Sequence, residues 1–378
     1  MINEIRLAET FEALVRIDSV SREEGPICRE LARIFQDLGA ATEVDGAGEG
    51  AGSDSGNLIV RIDGNRSVPT LMFCAHMDTV ETGRGVVPVF KDGVFTSAGD
   101  TILGADDKSA LAILIEAVRI LKEQGLPHGP IELVFTICEE IGLYGAKGLD
   151  PEMVSARFGW ALDTSDTDAV VTRAPSANQL KFTVYGKSAH AGSSPEKGVN
   201  AIVLASRAVI GASLGRIDDE TTANIGTIKG GVATNIVPDK VTLEGEARSH
   251  DPVKLDQVTG AMVDAFTAAV AEFADGGEPD GPRVDVWVTP SFSAFCVPDD
   301  HPVVTLARQA ATNLGRNLTL KKSGGGSDAN VFCGKGIVTG VLGTGMCDVH
   351  TSRESIRLAD MVKTVELVLE IIKIQVDA

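Results

Sequence analysis

The stretch that most restricts how this chain can fold is ELVFTICEEIG, residues 132–142. Its apolar, β-prone run reads as a buried strand, and it ends in two consecutive carboxylates, Glu139 and Glu140. Placing two like charges side by side at the end of a buried strand is unfavourable unless a proton or a cation stands near them. Taken alone, the pair also fits a solvated acidic turn. The other segments of the chain argue against that, because several of them also end probable strands in metal-competent side chains.

Strand and helix alternate through the first half. Residues 1–38 read as two helices with a polar break at 18–25, and 57–63 and 70–75 read as strands. In 104–125, Leu111, Leu114, Ile115, Val118 and Leu121 recur at helical spacing, with Gly125 as the C-cap. A strand over 132–138, a helix-like GLYGAKGL and a strand ending at Asp163 follow. This order predicts an α/β domain with a mixed, mostly parallel sheet flanked by helices. From about residue 176 the order becomes β-α-β-β-α-β: NQLKFTVYG, a helix over 200–214, TTANIGTIKGG, DKVTLEGEARS, a helix over 255–274 and PRVDVWVTP. That is the order of a ferredoxin-like α+β unit with one sheet face open. A helix over 301–314, the glycine run SGGGSDANVF, the strand IVTGVLG and a terminal helix resume the first style. The expected organisation is a discontinuous domain, 1–175 and 293–378, interrupted by a second domain, 176–292. A chain of 378 residues has room for both.

Composition excludes several function classes. A net charge of −19 argues against nucleic acid as a partner and is compatible with divalent cations. No long apolar run is present, and the first twenty residues read as an amphipathic helix, so the expectation is a soluble, cytoplasmic protein without a membrane partner. The six cysteines form no CxxC pair and read as buried, reduced thiols.

In AHMDTV, His76 and Asp78 lie two apart and share a face of an extended chain. This lets His76 ligate a metal while Asp78 bonds its other ring nitrogen. Asp106 stands at the mouth of a helix in GADDKSA, Asp163 ends a strand in ALDTSD, and His350 lies in CDVHTSRE. In an open α/β sheet such groups converge beyond the carboxyl ends of the strands. Each alone reads as structural or solvated. Together they form an oxygen-and-imidazole set without thiolate, suited to zinc and also to cobalt or manganese.

AHMDTV, GADDKSA, CEEIGLYGAKGL, ALDTSD, GKSAHAG and CDVHTSRE, in this order, resemble the M20 family of di-zinc metallopeptidases over nearly the whole chain. GADDKSA, TICEEIGLYGAKGL and GGGSDAN look most like its peptidase T, or tripeptide aminopeptidase, branch. The resemblance makes 1–175 and 293–378 the catalytic domain and 176–292 a lid and dimerisation domain. It implies two zinc ions per subunit, with Asp106 bridging, His76 and Asp163 completing one site, and Glu140 and His350 the other. Glu139 would be the general base, and a cis peptide would follow Asp106. Two cations about 3.5–4 Å apart lower the pKa of a water between them. His190 of the lid would hold the oxyanion, donated by the partner subunit in dimeric relatives. Asn235 and Arg248 would hold substrate carboxylate or backbone. On residues alone, His190 reads as a turn histidine and Arg248 as a solvated one. Residues 324–328, GGGSD, would line the substrate floor or form a flexible turn. His128, His250 and His301 receive no role.

The implied activity is metal-dependent hydrolysis of short peptides with release of the N-terminal residue. The alternative is a deacylase of the same architecture acting on N-acyl amino acids or another small amide. A non-catalytic, metal-stabilised binding module is disfavoured because every position needed for chemistry is filled. A homodimer is expected through the lid, using its open sheet face and the stripe Ile202, Val203, Ala205, Val209 and Ile210. The same stripe also fits packing on its own sheet.

Overall fold

The computed structural model describes residues 2–271, 273 and 281–377. They form two compact units, one from 1–173, 296–323 and 327–378, the other from 174–295 and 324–326.

The first unit is built on a central sheet. Across it, in spatial order, run Ala41–Val44, Leu58–Ile62, Ile131–Thr136, Leu71–His76, Phe158–Thr164, Val338–Gly343 and Ala169–Ala174, with Thr319–Lys322 also beside Ala169–Ala174. The expected mostly parallel sheet is present: Leu71–His76 is parallel to both neighbours, and Phe158–Thr164 to Val338–Gly343. Antiparallel pairs lie toward the edges. Every residue of Leu71–His76 and of Ile131–Thr136 is buried. Continuous apolar runs of this kind suit central strands covered on both faces. Phe73 stacks on Trp160 at 5.5 Å, and the Trp160 indole N–H donates to the Val303 carbonyl.

The helix Ala105–Gln124 packs against Leu71–His76, the N-terminal helix Glu4–Val15 and the terminal helix Leu358–Asp377. Packed on several sides, it buries Ala112, Ile113 and Ala117 as well as the predicted stripe. It stops at Gly125, whose φ of +57° suits the left-handed cap that glycine takes without steric penalty. At its other end Asp106 and Asp107 leave helical geometry, and the peptide between them is cis.

Several short strands lacked a readable pattern: Ala41–Val44, Ala169–Ala174, Thr319–Lys322 and a ribbon of Pro88–Lys91, Val94–Ser97 and Ser355–Arg357. The strand expected over 132–138 ends at Thr136, because Cys138 turns to φ +52°. Cys28, Cys74 and Cys138 are buried as expected, whereas Cys296 and Cys347 are exposed and Cys333 half-buried. Cys296 ends a two-residue strand and Cys347 lies in a loop closed on Ser355, so neither sits inside a buried apolar strand. Among the described residues no helix is long and apolar enough to cross a membrane.

The second unit is an antiparallel sheet ordered Gly215–Asp218, Thr221–Gly230, Lys240–Ser249, Ser176–Tyr185 and Arg283–Phe292. Its four long strands follow the ferredoxin-like order, and Gly215–Asp218 is an added edge strand. Helices Ala201–Gly211 and Pro252–Ala271 cover one face, where Phe182 stacks on Phe266 at 3.8 Å. The second helix was expected to reach residue 274, which lies outside the described residues. The helix stripe divides between its two readings. Ala205 is buried and Val209 packs on the unit's own core, while Ile202, Val203 and Ile210 are exposed.

Candidate metal centre

Sheet register brings the candidate ligands to one end of the first unit. Cys74 pairs with Ala161 and His76 with Thr136, so Asp163, two residues beyond Ala161, is level with His76. Glu139 and Glu140 follow Thr136 on the adjacent strand. His76, Asp106 and Glu140 each offer a ligand atom within 4.8 Å of the others. The His76 Nε2 lies 3.0 Å from Asp106 Oδ1, and the His350 Nε2 lies 3.2 Å from Asp106 Oδ2 and 2.9 Å from Glu140 Oε1. Asp106 therefore presents one carboxylate oxygen to each of two imidazoles.

The electrostatics of this cluster fit a divalent cation. His76 Nδ1 lies 2.9 Å from the Asp78 carbonyl, which can only accept, so Nδ1 carries a proton and Nε2 turns a lone pair toward Asp106. Two acceptors 3.0 Å apart require a second proton or a metal ion between them. Burial works to lower the His76 imidazole, but hydrogen bonds to Asp106 and Asp78 and the charge of Asp107 outweigh it and hold it well above its usual range. Bonds to Asp106 and Glu140 push His350 up to about 10. Burial pushes Glu139 well above the usual carboxylate range, and the charge of Asp163 adds to it. Burial does the same to Asp163, reinforced by the charge of Asp106. Burial works to raise Asp106 as well, but hydrogen bonds from His350 and His76 outweigh it and hold Asp106, by contrast, well below the usual carboxylate range. A cation between these groups would take the place of the protons that the cluster otherwise has to share. No thiolate is among the donors, which suits zinc, cobalt or manganese.

Asp78 does more than the two-residue spacing indicated. Its main-chain carbonyl, not its carboxylate, takes the His76 ring proton, while Oδ1 stays 3.5 Å from Nδ1. The chain turns just after His76, so the carboxylate is free to face the neighbouring strand end. It accepts the N–H of Glu139 at 2.9 Å, the N–H of Glu140 at 3.2 Å and the Ser21 hydroxyl at 2.6 Å. A single buried carboxylate thus orders both glutamates.

Three further residues serve this end of the sheet in roles the sequence did not indicate, although Asp328 lies in the glycine run expected at the substrate floor and Asp107 beside Asp106. Glu24, fully buried, accepts the N–H of Cys138 at 3.0 Å and holds the turn that leads into Glu139. Asp107 accepts the His76 main-chain N–H through Oδ2, and its Oδ1 is buried without a partner. Asp328, from the glycine run, accepts from the Thr136 hydroxyl, and burial pushes it up to about 6. Each acts through partners far away in sequence.

In the second unit, His190 and Asn235 are brought side by side. The Ala191 N–H donates to the Asn235 carbonyl at 2.9 Å, and His190 bridges Ile236. The exposed His190 ring accepts the N–H groups of Gly192 and Ser193 on Nδ1, both at 3.1 Å, so its own proton sits on Nε2. Arg248 is half-buried, paired with Glu246 at 2.9 Å and donating to the Gly324 carbonyl.

The family model for Peptidase family M20/M25/M40 matches residues 72–374, and the chain belongs to that family: it is an M20 peptidase. Its sequence is 43% identical to an aminopeptidase PepT from Bacillus cereus ATCC 10987, with a TM-score of 0.88 and both chains covered in full. It is 41% identical to a tripeptidase from Staphylococcus aureus subsp. aureus mu50, with a TM-score of 0.93 and the same full coverage. It is also 44% identical to the uncharacterized protein YqjE of Bacillus subtilis (strain 168), over 99% of each chain. The resemblance to the peptidase T branch is thus borne out.

Proposed function

We propose that this M20 peptidase is a two-metal aminopeptidase that releases the N-terminal residue of short peptides, tripeptides above all. The observation that carries the reading is Asp106, which offers Oδ1 to His76 and Oδ2 to His350, the arrangement a bridging carboxylate needs. Asp106, His76 and Asp163 would hold one ion, and Asp106, Glu140 and His350 the other, zinc being the first choice with cobalt or manganese as substitutes. When bound, the ions supply Lewis acidity that makes water nucleophilic at neutral pH and offsets charge on the attacked carbonyl.

The protein's own groups supply the rest. Glu139 takes the proton of the attacking water and returns it to the leaving amine. It is placed for this by Asp78, which holds its main-chain N–H, and by Glu24, which holds the preceding turn. Two adjacent glutamates divide the work, since one must neutralise metal while its neighbour stays free to carry a proton. His190, with its proton on Nε2, is an N–H donor for the oxyanion. Asn235 beside it and Arg248 would hold the peptide backbone and the carboxylate end.

We also propose that the second unit, acting as a lid, makes a homodimer. Its support is a set of exposed apolar residues, Ile202, Val203 and Ile210 on the helix Ala201–Gly211 and Ile228 and Val232 on and just after the strand Thr221–Gly230. Residues 224–230 of that strand pair on one side only among the described residues, so a second copy has an edge to extend. The open sheet face, by contrast, carries Lys181, Glu244 and Trp287, a mixed charged surface. Light scattering at micromolar concentration checks the assembly, and a monomer would refute it.

Release of the N-terminal residue from a panel of free tripeptides, with N-acetylated copies alongside and zinc, cobalt or manganese added, tests the activity. Cleavage of the free peptides alone is expected. Cleavage of the acylated copies alone would assign the site to a deacylase, and silence on both with metal bound would return the binding module.

A further inference from the structure

We infer that Glu354 is a positioning residue that sets the separation of Asp106 from His350 and so governs metal binding at the half of the centre that His350 completes. The inference rests on the two-metal reading. Glu354 is 1% exposed, and its carboxylate accepts from main-chain donors of the loop that enters Asp106. Oε2 takes the N–H groups of Leu103 and Gly104, both at 2.7 Å, and Oε1 takes that of Asp106 at 3.0 Å. Charge-assisted bonds of this kind are roughly twice as strong as neutral ones. Gly104 lies inside this grip at φ +78°, a conformation that side-chain-bearing residues rarely adopt.

Glu354 and His350 ride on the same closed loop. Cys347 and Ser355 exchange both main-chain hydrogen bonds, at 2.9 and 3.0 Å, and the Glu354 N–H donates to the Thr351 carbonyl inside it. Asp348 and His350 both take left-handed φ, +51° and +62°, which folds the loop tightly. Beyond Ser355 the chain is anchored by pairing with Val94–Ser97. One short loop therefore touches Asp106 twice, through the His350 imidazole on its side chain and the Glu354 carboxylate on its backbone. His76 and Asp163 come from sheet strands and, among the described residues, His76 bonds Asp78 and Asp106 and not that loop. Loss of Glu354 should therefore act most on the half that His350 completes, where both Asp106 and His350 depend on this loop, and less on the other half, where only the shared Asp106 does.

The test compares wild-type, E354A, E354Q and H350A proteins, stripped with a chelator and titrated with zinc against a chromophoric competitor. H350A marks which of the two affinities belongs to the His350 half. E354A is expected to weaken that affinity by about 10–100-fold, the usual cost of removing a group that orients a ligand. The other affinity, which shares only Asp106, should fall less, and E354Q, whose amide oxygen still accepts, should lose less than E354A at both. Cobalt-loaded protein gives a second readout, because its visible absorption should change more for the ion of the His350 half than for the other. Two wild-type affinities in E354A, or an equal fall in both, would overturn the assignment. If stripped E354A lacks the wild-type circular dichroism, E354Q decides by the same criteria. A wild-type protein that takes up no metal would remove the two-metal reading itself, an outcome distinct from an unaffected E354A.

Discussion

Removing the carboxylate of Asp78 isolates one buried group that orders the candidate centre. In the Asp78→Ala variant the main-chain N–H groups of Glu139 and Glu140, bonded at 2.9 and 3.2 Å, lose their acceptor, as does the Ser21 hydroxyl. Asp78 itself is fully buried, so water does not readily replace it. Each stranded main-chain donor costs about 1–3 kcal/mol, giving about 2–6 kcal/mol for the pair. Domain stabilities run about 5–15 kcal/mol, so the variant should fold but with a large part of its margin gone. Removing one negative charge from a cluster that includes Glu139, Glu140, Asp163 and Asp106 offsets part of this loss in metal-free protein. The metal-loaded protein, where the cluster is neutralised, should therefore show the larger loss. The assay is equilibrium urea unfolding followed by the fluorescence of Trp160, in a Trp287→Phe background that leaves Trp160 as the chain's single tryptophan. Asp78→Asn keeps one acceptor oxygen and should fall between wild type and Asp78→Ala. A loss no greater than the roughly 0.5 kcal/mol of an ordinary surface substitution, in both loaded and stripped protein, would refute the reasoning.

Three other outcomes are expected. Glu139→Gln should lower kcat by about 10²–10⁴-fold while metal content, read by mass spectrometry, stays that of wild type; a variant that keeps most of its rate would show that the base is another group. Chelation should lower the unfolding midpoint reported by Trp160 while leaving that reported by the exposed Trp287 in the second unit, with about 2.7 kcal/mol at stake when free metal is 100-fold above Kd. Arg6→Ala removes the guanidinium that bonds the fully buried Glu116 carboxylate twice at 2.8 Å, and breaking a buried pair in this way costs about 3 kcal/mol or more. Arg6 is one-quarter exposed, which trims the loss, and Arg6→Ala/Glu116→Gln should recover much of it by removing the stranded charge.

Much of the fold was legible because it is written in short-range patterns. The apolar runs at 71–76 and 131–136 contain too few polar residues for any place but the centre of a sheet, and they are buried throughout. The Ala105–Gln124 helix shows its stripe and its Gly125 cap within one window. The short strands Ala41–Val44 and Thr319–Lys322 went unread because four residues carry no period that separates them from loop. They are strands because a neighbour pairs with them. The stripe on the Ala201–Gly211 helix was ambiguous for the same reason, since Ala205 and Ile210 are both apolar in sequence and only their placement buries one and exposes the other.

By itself the sequence determined the kinds of donor and the order in which they come: imidazoles and carboxylates at the ends of strands, Glu139 and Glu140 side by side, no thiolate among them. Those are local properties of short segments. Only the tertiary structure decided that Asp106 faces two imidazoles, that Asp78 gives its carbonyl to His76 and its carboxylate to two glutamates, and that Glu354 grips the backbone of Asp106. Each of those contacts joins residues that only folding brings together or turns toward one another. A carboxylate can accept from any donor that packing brings to it, so its partners are set by the packing and not by its neighbours in the chain.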